Sequence, residues 1–140
     1  MVEGQCHCGN IRVIFQTDKA AKDFVPRICE CTFCTKHGAR WISDPTGTVI
    51  VTINDDSRVS KYAFGHKTAE FITCSRCGVT LLAISEIEGN RHAVLNVNVL
   101  DHPESFTGDE SGFDYDAESE LSRLDRRKKN WIGRVELIKA

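Results

Sequence analysis

Apolar residues along this chain recur mostly at every second position, in short runs separated by turn-forming clusters. Residues 10–16 (NIRVIFQ) and 48–53 (TVIVTI) have β-branched centres, and 58–64 (RVSKYAF) sets Val59, Lys61 and Ala63 against Ser60, Tyr62 and Phe64. Residues 70–73 and 79–84 flank a cysteine pair. In 91–100 (RHAVLNVNVL), Ala93, Leu95, Val97 and Val99 share one face, and His92, Val94, Asn96 and Asn98 the other. A period of two is the mark of a strand, because successive side chains point to opposite faces of a sheet. DPTG at 44–47, NDD at 54–56 and EGN at 88–90 supply the turns between them. The pattern predicts a mainly β domain, sandwich-like or barrel-like.

The last third differs. Residues 101–115 are acidic, contain Pro103, Gly108 and Gly112, and read as a surface loop. Residues 116–129 predict a short C-terminal helix, with acids at its start and Arg126, Arg127, Lys128 and Lys129 at its end, as the helix dipole favours. Its apolar positions are few, chiefly Leu121 and Leu124, which predicts a surface location. Residues 131–138 (WIGRVELI) predict a final strand, with Trp131 in the core.

A length of 140 residues implies a single domain spanning 1–140. No apolar run is long enough to cross a membrane and the N-terminus lacks a secretory pattern, so a cytoplasmic or similarly reducing location is expected, with no membrane partner. The formal charge of −2 conceals an asymmetry: eight of the 20 acids lie between Asp101 and Glu120, leaving 18 Lys and Arg against 12 acids elsewhere. That remainder suits a small anionic ligand. No concentrated basic stripe points to nucleic acid.

Seven cysteines in a reducing compartment call for something other than disulfides. They fall into three groups: Cys6 with Cys8, then Cys29, Cys31 and Cys34, then Cys74 with Cys77. C-x-x-C at 74–77 lets two sulfurs reach one ion, and Gly78 tolerates the tight turn that follows. Cys6 and Cys8, if extended, point to the same face, and Gly9 follows them. The simplest closed site is therefore Cys6, Cys8, Cys74 and Cys77, a structural four-thiolate zinc arrangement. Cys29, Cys31 and Cys34 remain. Their fourth place is either open to water or substrate, as a catalytic zinc requires, or closed by His37, His66 or His92.

GxCxCG at 4–9, CxCxxC at 29–34 with HGA at 37–39, CSRCG at 74–78 and VLNVNVLD at 94–101 occur in that order. The chain resembles, over about residues 3–102, the glutathione-dependent formaldehyde-activating enzyme family, which also includes centromere protein V. The resemblance implies a β-tent of two twisted antiparallel sheets around zinc, and two Zn²⁺ sites. It implies an activity of carbon–sulfur lyase type that interconverts S-(hydroxymethyl)glutathione with glutathione and formaldehyde. Cys6, Cys8, Cys74 and Cys77 match the family's structural-zinc ligands; Cys29, Cys31 and Cys34 match its catalytic-zinc ligands. The acidic loop and basic helix, 103–130, lie outside the pattern and are particular to this chain.

An electron-rich three-thiolate site favours a fourth sulfur, so a small thiol or thiol–aldehyde adduct such as that of glutathione and formaldehyde is the expected partner. Its carboxylates need cations; Lys36 and Arg40 are nearest in sequence, followed by Arg27 and Arg91. His92 and Asn96 are candidate polar contacts on one strand face, and His37 a candidate proton shuttle. The competing class is a non-enzymatic two-zinc binding module.

Overall fold

The structure, a computed structural model, describes residues 1–113 and 118–139, with the side chains of 111–113 left aside. Two open sheets make up the fold. The first contains β1 (Val2–Gln5), β2 (Ile11–Gln16), β5 (Thr48–Ile53) and β11 (Arg134–Lys139), in that order across the sheet. The second runs β10 (Glu110–Phe113), β3 (Arg27–Cys29), β4 (Trp41–Ile42), β9 (Asn90–Asn96), β8 (Thr80–Ile87), β7 (Glu70–Cys74) and β6 (Val59–Tyr62). Two helices accompany them, α1 (Thr32–His37) and α2 (Glu120–Asn130). No helix among the described residues is long and apolar enough to cross a membrane.

Alternation sets the core as the sequence predicts. In β5, Val49, Val51 and Ile53 are buried; they stand opposite Phe15, Val13 and Ile11 of β2. These six side chains face Ile72, Leu82 and Leu95 of the second sheet in one cluster. Each such side chain contributes about 1.5–3 kcal/mol when fully buried. The strict period of two gives the second sheet an opposite face, on which Phe71, Ala83 and Val94 lie in cross-strand register. With Trp41 and Trp131 this face forms a second, smaller apolar cluster that includes Cys31 and Cys34. The candidate functional site is built on that outer face.

The expectation of purely antiparallel sheets needs correction. β11 runs parallel to β5, and β10 parallel to β3. Each reaches its partner after a long excursion of chain, which frees it from the hairpin geometry that enforces antiparallel pairing. The region expected to be a loop, 101–115, likewise contains strand β10, docked beside β3; Asp114 and Tyr115 lie outside the described residues. Arg40 holds this segment through Asp109 (2.7 Å) and the Phe106 carbonyl (2.6 Å). Strand β9 stops at Asn96 rather than Leu100, because the Asn96 side chain accepts the Asn98 N–H and starts a 3₁₀ turn over Val97–Val99.

The C-terminal helix also departs from expectation. It begins at Glu120, capped by the Ser119 hydroxyl accepting the Ser122 N–H at 3.2 Å; of the earlier predicted positions, 116 and 117 lie outside the described residues. Leu121, one of its few apolar residues, is 82% exposed, while Arg123 and Arg127 are buried at 8% and 7%. Arginine can do this because its long stem packs along apolar surface while its head seeks polar atoms. The final strand starts at Arg134; Trp131 and Ile132 before it are buried, and Ile132 bridges Ala93.

Candidate functional site

The seven cysteines gather into two groups, Cys6, Cys8, Cys74 and Cys77 in one and Cys29, Cys31 and Cys34 in the other, with all sulfurs in each within 4.8 Å of one another. The first group is made by two matching turns. The Gly9 N–H donates to the Cys6 carbonyl at 3.1 Å and the Gly78 N–H to that of Cys74 at 2.7 Å, each glycine at φ of 83°. That left-handed conformation favours glycine strongly. One turn leads into β2 of the first sheet and the other joins β7 to β8 of the second, so the cluster clamps the two sheets together. Sulfur separations are 3.8 Å for Cys6–Cys8 and 3.6 Å for Cys8–Cys74. A tetrahedron with metal–sulfur bonds of about 2.3 Å has edges of about 3.8 Å, so the four donors fit one ion.

The second group is assembled locally. Cys29 ends β3. Cys31 is the N-cap of α1, its sulfur accepting the Cys34 N–H at 3.3 Å, and Gly38 closes the helix. The Trp41 indole N–H donates to the Cys34 sulfur at 3.4 Å. Among the described residues no histidine, aspartate or glutamate joins the three sulfurs. His37 instead stacks on Phe33 (4.4 Å between ring centres), and its Nδ1 lies 3.4 Å from the Thr80 hydroxyl.

Both groups behave as donors short of a cation. A hydrogen bond from the Cys34 thiol brings Cys29 down to about 6, while that same interaction and burial push Cys34 far up. Burial also pushes Cys31 up. In the four-sulfur group, burial raises Cys6 to about 11. Burial opposes ionisation of Cys77, but the N–H groups of Cys8 and Val79 and the neighbouring thiols bring it to about 6. Crowded thiols let one sulfur ionise at the expense of the rest; a bound cation lets all of them ionise. Both clusters therefore have the donors and spacing to hold a metal ion.

The three-cysteine group forms part of the wall of a cavity of about 80 Å³. Trp41, Phe71, Ala83 and Val94 line it from the second sheet, Phe64, Thr68 and Ala69 from the segment between β6 and β7, and Arg123, Arg126, Arg127 and Trp131 from α2 and the residue after it; Arg27 also lines it. Of the expected contacts, Lys36, Arg40, His92 and Asn96 do not line this cavity. Arg40 is engaged with Asp109. Asn96 accepts from the Arg40 N–H (3.3 Å) and donates to the Thr80 carbonyl (3.0 Å), which ties β4, β9 and β8 together. His92, paired with Ser85 of β8, is pushed down by burial and by Lys128, with Glu88 opposing. Lys36 is exposed on α1. Sequence reasoning missed the arginines of α2, although 123, 126 and 127 are spaced i, i+3, i+4 and so share one helix face.

A family model described as glutathione-dependent formaldehyde-activating enzyme matches residues 1–115. The chain belongs to that family. The match takes in both cysteine clusters and Arg27 and stops before α2, so the arginines that α2 brings to the cavity wall lie beyond the family's matched region. Among curated proteins, none matches the chain significantly. Among solved structures, the crystal structure of a Rhodobacter sphaeroides protein from a structural genomics programme is similar at 23% identity with a TM-score of 0.53, covering 71% of this chain and 87% of that one. That likeness supports the fold.

Proposed function

We propose that this protein forms and cleaves the carbon–sulfur bond between a small thiol and an aldehyde, the reaction that links glutathione and formaldehyde to S-(hydroxymethyl)glutathione or a related adduct. In this reading Cys6, Cys8, Cys74 and Cys77 hold a structural Zn²⁺, and Cys29, Cys31 and Cys34 hold a second Zn²⁺ at the catalytic site. The observation that carries it is the contrast in closure: four sulfurs complete one group, whereas three sulfurs line a cavity with no fourth protein donor among the described residues.

Zinc bound at the trio would supply positive charge that keeps a substrate sulfur deprotonated near neutral pH. The chain's own residues do the rest. Cys31 and Cys34 are fixed by the N-cap bond and the Trp41 N–H, so the site is organised before substrate arrives. The apolar side chains of Trp41, Phe71, Ala83 and Val94 limit water around the bond being made. In the forward direction the thiolate sulfur attacks the carbonyl carbon, the C–S bond forms as the C=O π bond breaks, and the oxygen takes a proton. The reverse returns thiol and aldehyde.

Exchange NMR on mixtures of glutathione and ¹³C-formaldehyde, with and without protein, tests the reading. Acceleration by the wild type and its loss in Cys31→Ser are the expected results. Thiol binding without any change in exchange rate would leave a non-enzymatic two-metal binding module.

A further inference from the structure

Beyond the family's matched region, Arg123, Arg126 and Arg127 of α2 add to Arg27 in giving the cavity beside the three cysteines a cationic wall. Arg127 of α2 is 7% exposed. Its Nη1 donates to the hydroxyls of Thr68 (2.8 Å) and Ser85 (3.3 Å), and its guanidinium lies 4.8 Å over the Trp131 ring. Its Nε is buried without a hydrogen-bond partner. No carboxylate among the described residues pairs with it: Glu118 is taken by Arg126 (3.0 Å) and Arg123 (3.6 Å), Glu88 by Lys128, and Asp109 by Arg40. Burial, with the charges of Arg126 and Arg123, pushes Arg127 down to about 10, and a guanidinium remains charged at neutral pH. Its nearest counter-charge is Glu118, which already bridges Arg123 and Arg126 and acts on Arg127 only at longer range; a buried cation so incompletely balanced is costly, and the wall of a cavity is where an anion can be brought to it.

Size narrows the anion. A cavity of about 80 Å³ has room for roughly five waters, far below the 300–1,000 Å³ or so of pockets that enclose drug-sized ligands. We propose that it binds a short thiol whose carboxylate pairs with Arg127 while its sulfur lies against Cys29, Cys31 and Cys34. The substrate class is then a mercaptocarboxylate or its aldehyde adduct, rather than a tripeptide enclosed whole. The sulfur half of this inference rests on the thiol reading above; the carboxylate half rests on Arg127 and stands apart from it.

Both tryptophans of the chain, Trp41 and Trp131, line the cavity, so intrinsic fluorescence reports its occupancy. Metal-loaded protein is titrated at constant ionic strength with mercaptoacetate, 2-mercaptoethanol, acetate and glutathione. Mercaptoacetate should bind at least roughly tenfold more tightly than 2-mercaptoethanol, as expected of a charge-assisted pair. Arg127→Met should reduce it to the level of the neutral thiol, and Arg127→Lys should restore part of the difference. Equal affinity of the two thiols for the wild type would overturn the proposal while leaving the thiol reading intact, and so would tighter binding of glutathione than of mercaptoacetate. Saturable, Arg127-dependent quenching by acetate with none by 2-mercaptoethanol would support the carboxylate site and sink the thiol reading instead. If Arg127→Met does not fold, the wild-type comparison of the two thiols decides alone.

Discussion

The two cysteine groups use the same donor atom and nearly the same spacing, yet they differ in what they join. Cys6 and Cys8 meet Cys74 and Cys77 across 66 residues of sequence and across two sheets. Cys29, Cys31 and Cys34 sit within one β3–α1 turn. Holding an ion across the long loop removes more freedom from the unfolded chain than holding one across the short turn. On loop-closure entropy alone the difference is roughly 2 kcal/mol. The first group also completes four donors while the second leaves a place facing a cavity. On the proposed reading, one cluster stabilises the fold and the other meets a ligand.

The sharpest way to break that comparison is to remove one ligand from each. Cys74 has no accessible surface and sits between the sheets. Cys74→Ser should lower the melting temperature by at least about 15 °C or prevent folding, because structural zinc binding is worth on the order of 10 kcal/mol to small domains, comparable to their whole stability. Cys31→Ser should melt within about 6 °C of wild type and carry one metal instead of two. Thermal melts with metal counts measure both, and equal collapse of the two variants would make both groups structural.

Metal removal separates the groups without mutation. Three thiolates with an exchangeable fourth place release their ion to a chelator, or to protons as the pH falls, before four thiolates in a closed group do. The first ion should leave with little change in far-ultraviolet circular dichroism and the second with unfolding. Simultaneous loss of both ions would erase the distinction.

How far the sequence revealed this depends on the range of the interaction involved. The alternating strands β2, β5 and β9 were legible, because period is a local property of the chain; spacing marked three local cysteine groups and made Cys6, Cys8, Cys74 and Cys77 the simplest closed set, which the fold brings together. The short strands β1, β3 and β4 were not legible, since two to four residues are too few for a period of two, nor was α1, whose six residues make fewer than two helical turns. The strand β10 was hidden in an acidic stretch because its pairing is decided by Arg40 and Asp109, 69 residues apart. The cavity wall was hidden for a further reason. Hydropathy found only Leu121 and Leu124 as apolar positions of α2 and so predicted a surface helix, whereas the polar Thr68 and Ser85 opposite let Arg127 serve as its inward-facing residue.

A smaller effect sharpens the view of the trio's flank. Arg40 makes a bidentate pair with Asp109, its side chain 19% exposed against 39% for the aspartate, and so tethers the segment that carries β10 beside Cys29. Arg40→Ala should cost about 1–2 kcal/mol, discounted for partial exposure. Hydrogen exchange should quicken over 106–110 and remain unchanged in β2 and β5. Uniform quickening throughout the chain would show that the tether supports the core and not the flank alone.

The smallest effect separates two duties of one atom. The Cys31 sulfur caps α1 by accepting the Cys34 N–H, and it is also one of the three donors in the trio. A serine oxygen keeps the cap, since serine is among the best N-cap residues, but it is a poor replacement for thiolate toward zinc. Alanine loses both functions. Cys31→Ser and Cys31→Ala should therefore lose the second metal alike, while the alanine variant should be about 1 kcal/mol less stable, or roughly 3 °C lower in melting temperature. If the two variants melt together, the N–H of Cys34 has found another partner and the cap contributes nothing. If serine retains the metal, the place facing the cavity is held by Cys29 and Cys34 without it, and the contrast between a three-donor and a four-donor group has to be redrawn.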